Sequence, residues 1–222
     1  MSGRKPPSAR RIADALMEEC GRTYAEEAGI RLKDTPQPLY QLLVLSLLLS
    51  ARIRASVAVA AARALFDHGM RTPRRMVDAT WQQRVDALGE GHYRRYDERT
   101  ATQLGDGAQL VLDTWRGDLR RLREGADGDR DRLMEGLRRV PGIGPAGADI
   151  FVREVQSVWP ETGPWLGAKA LQGAERLGLP TSPGKPAQAA RGHDDARFAA
   201  ALVRAALNKD IVDAVTEAAR RQ

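Results

Sequence analysis

The chain has 222 residues, room for one large domain or two small ones sharing an interface, and enough length to bury a real core. Hydrophobic residues make up 42% and aromatics 5%, so that core must be built from Ala, Leu, Val and Ile, a mixture that favours helices and argues against an all-β sandwich. The net charge of +6 and a pI near 9.9 suit a polyanionic partner.

Residues 1–7 read as a disordered leader, and Ser8 as the N-cap of an amphipathic helix carrying Ile12, Leu16 and Cys20 and running to about Gly29. Two prolines between Lys33 and Pro38 break that pattern. The thirteen residues from Leu39 to Ala51 carry no charge, and a helix that is apolar all round belongs at the centre of a fold. Ser56–His68 continues as an Ala-rich helix. Thr72 and Pro73 read as N-cap and first residue of a short helix to Ala79, and Trp81–Leu88 as another. Gly89–Gly91 turns the chain into a long polar helix or helix pair, Tyr93–Trp115, with apolar positions at Leu104, Leu110, Val111 and Trp115. Asp129–Arg139 is the next helix, Gly142 to Gly144 interrupts, and Pro145 opens a helix to about Val158. A run rich in Pro and Gly leads into a helix ending near Gly178. Residues 179–193 read as a loop, and Asp194–Leu207 and Asp210–Arg221 as the closing helices. Nothing alternates with period two over a useful length, so the class is all-α.

Five lysines among the 35 basic residues leave thirty arginines. The planar guanidinium binds phosphate bidentately, although a GC-rich genome produces the same excess through codon usage. The lone Cys20 excludes an internal disulfide and a four-cysteine iron–sulfur cluster, and His68, His92 and His193 form no metal-ligand pair. No other cofactor is expected. The longest apolar run, Leu42–Ala51, falls far short of the roughly 20 residues a membrane span needs, and a cytoplasmic location is expected.

The most informative segment is LRRVPGIGPAGADIFVREV, Leu137–Val155, which reads as helix, tight turn, helix. Gly142 and Gly144 remove side chains from the turn, and Pro145 opens the next helix without needing an N–H partner. The helix N-terminus adds its positive dipole end and unpaired amides at the same point, a ready phosphate site. Ala148 is small enough to let the two helices cross closely, while Leu137, Val140, Ile143 and Val152 would hold the hairpin to the core.

The complete PGIGPAGA pattern resembles the helix-hairpin-helix of the endonuclease III-like DNA glycosylase superfamily. Other segments keep that family's order: SLLLSARIRASV (46–57) resembles its helix ending in LLSAQ, ALGEGHYRRYDERTATQL (87–104) its GLYxxKAxxL segment, and AERLGL (174–179) the end of its VDTHxxRxxxRLGL segment. The resemblance covers roughly residues 38–180. It implies a two-lobed all-α fold, with a central lobe over residues 39–179 containing the hairpin at 137–158, and a second lobe formed by residues 8–38 and 180–222. It further implies contact with duplex DNA through Gly142, Ile143, Gly144, Pro145 and Ala146, and a monovalent cation at the backbone of Val140 and Gly142. Arg52 takes the place of the glutamine that enters the gap left by a flipped nucleotide, with Arg54 on the same loop. Tyr93 to Arg95 either faces DNA or contributes a core-edge aromatic.

Two positions depart from the family. Ala146 stands where its lyase branch carries a catalytic lysine, so no Schiff base can form there. The catalytic aspartate should fall between Trp165 and Gly167, yet no Asp occurs from Ile150 to His193. An oxocarbenium-like transition state needs such a carboxylate. Asp149, Glu161 and Lys169 are the candidates to replace it. The plainer reading of Asp149 is a carboxylate favouring a helix dipole, and of Glu161 and Lys169 solvated surface groups. Trp165, with Lys169, either lines or fills the base pocket. The resemblance thus implies a monomeric base-excision-repair protein acting on damaged or distorted duplex DNA, nucleoid-associated if bacterial, and monofunctional if active. A catalytically silent relative that binds damaged or bent DNA, and a helical protein-interaction scaffold, are the alternatives.

Overall fold

A computed structural model describes residues 7–182 and 185–221, and no strand occurs among them. The fold is all-α. In chain order the helices are α1 (Ala9–Cys20), α2 (Tyr24–Glu27), α3 (Pro36–Leu49), α4 (Ala55–Asp67), α5 (Pro73–Asp78), α6 (Trp81–Glu90) and α7 (Asp97–Trp115). They continue with α8 (Arg120–Ala126), α9 (Arg130–Arg138), α10 (Pro145–Val155), a 3-10 turn (Pro160–Thr162), α11 (Ala168–Arg176), α12 (Lys185–Ala189), α13 (Asp195–Leu207) and α14 (Lys209–Arg221). The expected leader lies outside the described residues apart from Pro7.

Local chemistry sets many of these boundaries. Ser8 caps α1 by accepting the Arg11 amide, Thr72 caps α5 ahead of Pro73, and Thr80 and Gln83 form a reciprocal capping box that starts α6. The first helix stops at Cys20 rather than at Gly29. A Cβ on Gly21 would lie 2.4 Å from the Met17 carbonyl, so the chain turns there with a residue that has none. The helix after the hairpin ends at Val155, three residues early, and the expected loop 179–193 contains α12.

The chain divides into two compact units, residues 24–162 and residues 1–23 with 163–222. The boundaries expected near residues 38 and 180 therefore shift, and contacts within each unit give the reason. In the larger unit the Ala25 amide donates to Glu154 Oε2 at 2.9 Å, and the Arg153 guanidinium lies over the Tyr24 ring at 5.3 Å. Asp34 accepts from Trp159 Nε1 at 2.9 Å and pairs with Arg123 at 2.8 Å. Residues 24–38 are thereby tied to α10, α8 and the segment that follows α10. In the smaller unit α11 crosses α13 so tightly that a Cβ on Gly173 would sit 1.9 Å from the Leu202 carbonyl, which binds residues 168–176 to the C-terminal helices.

The larger unit is organised around α3, whose residues from Leu39 to Leu48 are all buried, as its uninterrupted apolar sequence requires. Helices α4 and α10 pack against it. Ser46, the polar residue inside this run, satisfies its hydroxyl on the Leu42 carbonyl at 2.8 Å. Arg84 knots α5, α6 and α7 together by donating to the carbonyls of Met76, Ala79 and Ala101. Gly91 lets the turn after α6 touch α4, because a Cβ there would lie 2.3 Å from Ala61 Cα.

Candidate nucleic-acid interface

Helices α9 and α10 form the expected hairpin. Leu137, Val140 and Ile143 are buried, and the Ile143 amide donates to the Val140 carbonyl at 3.0 Å to close the turn. Ile143 thus spends both side chain and amide inside the fold. The two glycines serve different ends. Gly142 has φ +88°, and a Cβ there would lie 2.8 Å from Leu47 Cδ1 and 3.0 Å from Gln103 Oε1. Gly144 sits at φ −93° with nothing within 4 Å of a Cβ position, so neither backbone strain nor internal crowding demands a glycine. Open space in front of that residue is what a ligand approaching the backbone requires.

Gly144 is the N-cap of α10, and no side chain caps this end. Pro145 has no amide, and the helical ladder begins with the Ala148 amide on the Gly144 carbonyl at 3.0 Å. The amides of Ala146 and Gly147 therefore belong to the first turn, where a helix offers no internal acceptor. Pro145 and Ala146 are exposed, whereas Gly147 and Ala148 are buried in the crossing with α3. Val140 uses one lone pair on Ile143, and the turn's remaining oxygens are neutral carbonyls, the donor type a monovalent cation accepts.

A cleft of about 370 Å³ adjoins this turn. It brings together the end of α3 (Ser50, Arg52), the start of α7 (Tyr96, Arg99, Gln103) and Gly142 of the hairpin. Three segments separated by some forty residues each in sequence meet here. Tyr93 forms part of the wall but is 2% exposed, its hydroxyl 3.2 Å from Thr100 Oγ1, and burial pushes its phenol above the ordinary range. It is the core-edge aromatic of the two readings. Arg95 instead lies over the Tyr96 ring at 5.2 Å.

Arg52, Arg54, Arg94, Arg95 and Arg99 are all exposed, and among the described residues none makes an ion pair. No carboxylate lines the cleft among those residues. The five arginines outnumber the neighbouring Asp97 and Glu98 at the start of α7, so the surface carries a net positive charge near an uncapped helix N-terminus, and both favour an anion. Tyr96, Arg99 and Gln103 escaped the sequence reading. Their spacing of i, i+3 and i+7 marks a single face of α7, the signal that could have found them.

None of the candidate catalytic groups is in the lining of this cleft. Asp149 is half-buried in α10. Glu161 is gripped by Arg123 through two contacts, 2.5 and 3.0 Å, and the same guanidinium binds Asp34 and lies over the Trp159 ring at 5.3 Å. Lys169 is exposed near the start of α11 and donates to Gln172 Oε1 at 2.8 Å, and Trp165 is half-buried in the same unit. Ala146 keeps its place on the first turn of α10 with no amine.

No protein-family model matches the chain, and no curated protein matches it in sequence. Among solved structures it is similar to an endonuclease III trapped in a covalent intermediate with DNA, an estranged-adenine complex. The two share 16% identity with a TM-score of 0.46, over 88% of this chain and 84% of that one. No described helix is long and apolar enough to cross a membrane.

Proposed function

We propose that this chain binds duplex DNA through the α9–α10 hairpin and its neighbouring cleft, and acts in base-excision repair as a monofunctional glycosylase of the helix-hairpin-helix type. One observation carries the DNA reading. An uncapped helix N-terminus with open space before Gly144 neighbours a cleft lined by Arg52, Arg99 and Gly142, and Arg54, Arg94 and Arg95 are exposed on the same segments, none of the five in an ion pair among the described residues. Such a surface fits phosphate groups spaced along a backbone, and the fold supports each element rigidly: Arg52 follows the buried α3, and Gly142 is locked against Leu47. A monovalent cation would be held by the carbonyls of Val140 and Gly142, adding positive charge beside the same phosphate. The motif order in the sequence supports the family reading independently of the cleft.

Strand cleavage is not part of this function, because Ala146 offers no side-chain amine to form a Schiff base with an opened sugar. A second reading, recognition of damaged or bent DNA without chemistry, is favoured by the carboxylates: Glu161 is engaged by Arg123, and no Asp follows Ile150 until Asp194. The experiment is a single-turnover assay on duplexes carrying oxidised, deaminated and alkylated bases, each read with and without alkali. Strand breaks appearing after alkali support the glycosylase. Binding with no breaks on any lesion supports the silent relative, and breaks without alkali contradict both.

A further inference from the structure

The other end of α3 carries a separate site. A cavity of about 480 Å³ opens beside its first turns, lined by Arg31, Arg63, Arg71, Gln37, Gln41 and Asp67. Two of the three arginines are tethered through neutral backbone: Arg63 donates to the Glu27 carbonyl, and Arg71 Nε donates to the Phe66 carbonyl at 2.7 Å. A carbonyl positions a guanidinium without cancelling its charge. Arg71 also pairs with Asp67 at 3.6 Å, and Arg31 makes no ion pair among the described residues. Three cations thus face one carboxylate in this lining.

Two further features point at a ligand. Helix α3 is 14 residues long, and its N-cap, Thr35, makes no side-chain hydrogen bond, so its positive dipole end lies next to the arginines, with Pro36 and Pro38 leaving the Gln37 amide as the donor of its first turn. Gln41, in the second turn, is 8% exposed, lines the cavity, and forms no hydrogen bond among the described residues. No buried side-chain polar atom among the described residues lacks a partner, so the Gln41 amide opens onto the cavity itself, where it is a donor available to a phosphate oxygen beside the guanidinium groups.

We propose that this cavity binds the phosphate monoester of a small ligand, with Arg31, Arg63 and Arg71 holding the dianion and the Gln41 amide donating to one of its oxygens. The volume exceeds what a phosphate group alone fills and falls within the ordinary range for small-molecule sites. Gln41 and Ser50 are about 14 Å apart along the axis of α3, so this site stands clear of the cleft proposed for DNA and does not depend on it.

Isothermal titration of the full chain with inorganic phosphate and with adenosine 5′-monophosphate tests the proposal. At least one should bind saturably, at least tenfold more weakly in the Arg31→Ala/Arg63→Ala double variant and in Gln41→Leu, and with unchanged affinity in Gly144→Asp. Tighter binding of the nucleotide identifies an organic monoester, and equal affinities identify free phosphate. No saturable binding of either, or binding that survives removal of both exposed arginines, overturns the proposal. Binding lost in Gly144→Asp but kept in the arginine variant also overturns it, by placing the anion at the hairpin.

Discussion

Gly144→Asp separates stability from DNA binding at the hairpin, because the two should move in opposite directions. Residue 144 has φ −93° and ψ −169°, extended backbone open to any residue, and an added Cβ meets nothing within 4 Å. An aspartate there becomes the N-cap that α10 lacks. Its carboxylate can accept the first-turn amides, and the cap and the dipole together should contribute about 0.5–1 kcal/mol. For a chain of this size that raises Tm by about 1–4 °C. The same carboxylate occupies the place of the DNA phosphate and repels it. Losing hydrogen bonds to a charged group costs about 1.5–3 kcal/mol each, so duplex affinity should fall roughly tenfold to a hundredfold. Scanning fluorimetry and fluorescence anisotropy on one preparation read both effects. Gly142→Ala is the poorer probe, since φ +88° and the 2.8 Å approach to Leu47 would unsettle the turn itself. A Gly144→Asp protein that is more stable and binds duplex DNA as tightly as the wild type would refute the assignment of the hairpin as a phosphate site.

Arg52→Ala should weaken binding to an abasic duplex more than to an intact one, because a residue filling an extrusion gap helps distorted DNA selectively; anisotropy on the two duplexes at one salt concentration decides, and equal losses would make Arg52 an ordinary cation. Glu154→Gln should destabilise the chain by about 3 kcal/mol or more in urea denaturation, since it strands the buried Arg153, whose partner oxygen is 3.2 Å away. Asp118 is held below its ordinary carboxylate range by its hydrogen bonds to Arg120. A depressed folded-state value contributes stability that is full above the unfolded value of 3.8 and lost as pH falls through the folded one. Melting temperatures of wild type and Asp118→Asn should therefore differ at pH 7 and converge as pH falls below 3.8 and through the lower folded-state value.

The centre of this fold was written plainly in the sequence. A charge-free stretch such as Leu39–Ala51 has no solvated face to offer, so α3 could go nowhere but the core. The hairpin was legible for a related reason: GIGP fixes both the turn and the start of α10. Helix α8 was not, because RRLREGA is mostly charged and its buried positions reduce to Leu122 and Ala126. The breaks that flank it are only half marked: Gly117 and Gly128 adopt φ of 79° and 75°, but Arg116 and Asp127 before them take φ of 54° and 51°, which no sequence rule assigns to those residues. The site divides along similar lines. Arg52 could be placed from its position just beyond an apolar helix, but the burial of Tyr93 depends on Thr100 and on how closely Gly91 approaches α4. The partnership of Tyr96, Arg99 and Gln103 with Gly142 is a long-range contact that no local pattern encodes.

The most direct test is the salt dependence of duplex binding by the unmodified chain. Neutralising roughly four to six phosphates releases their condensed counterions, so log K against log salt concentration should be linear with a slope of about −4 to −5 for every duplex sequence. An affinity that does not change between low and physiological salt, or no measurable binding at low salt, would contradict the account of the hairpin and its arginine-flanked cleft as a DNA surface.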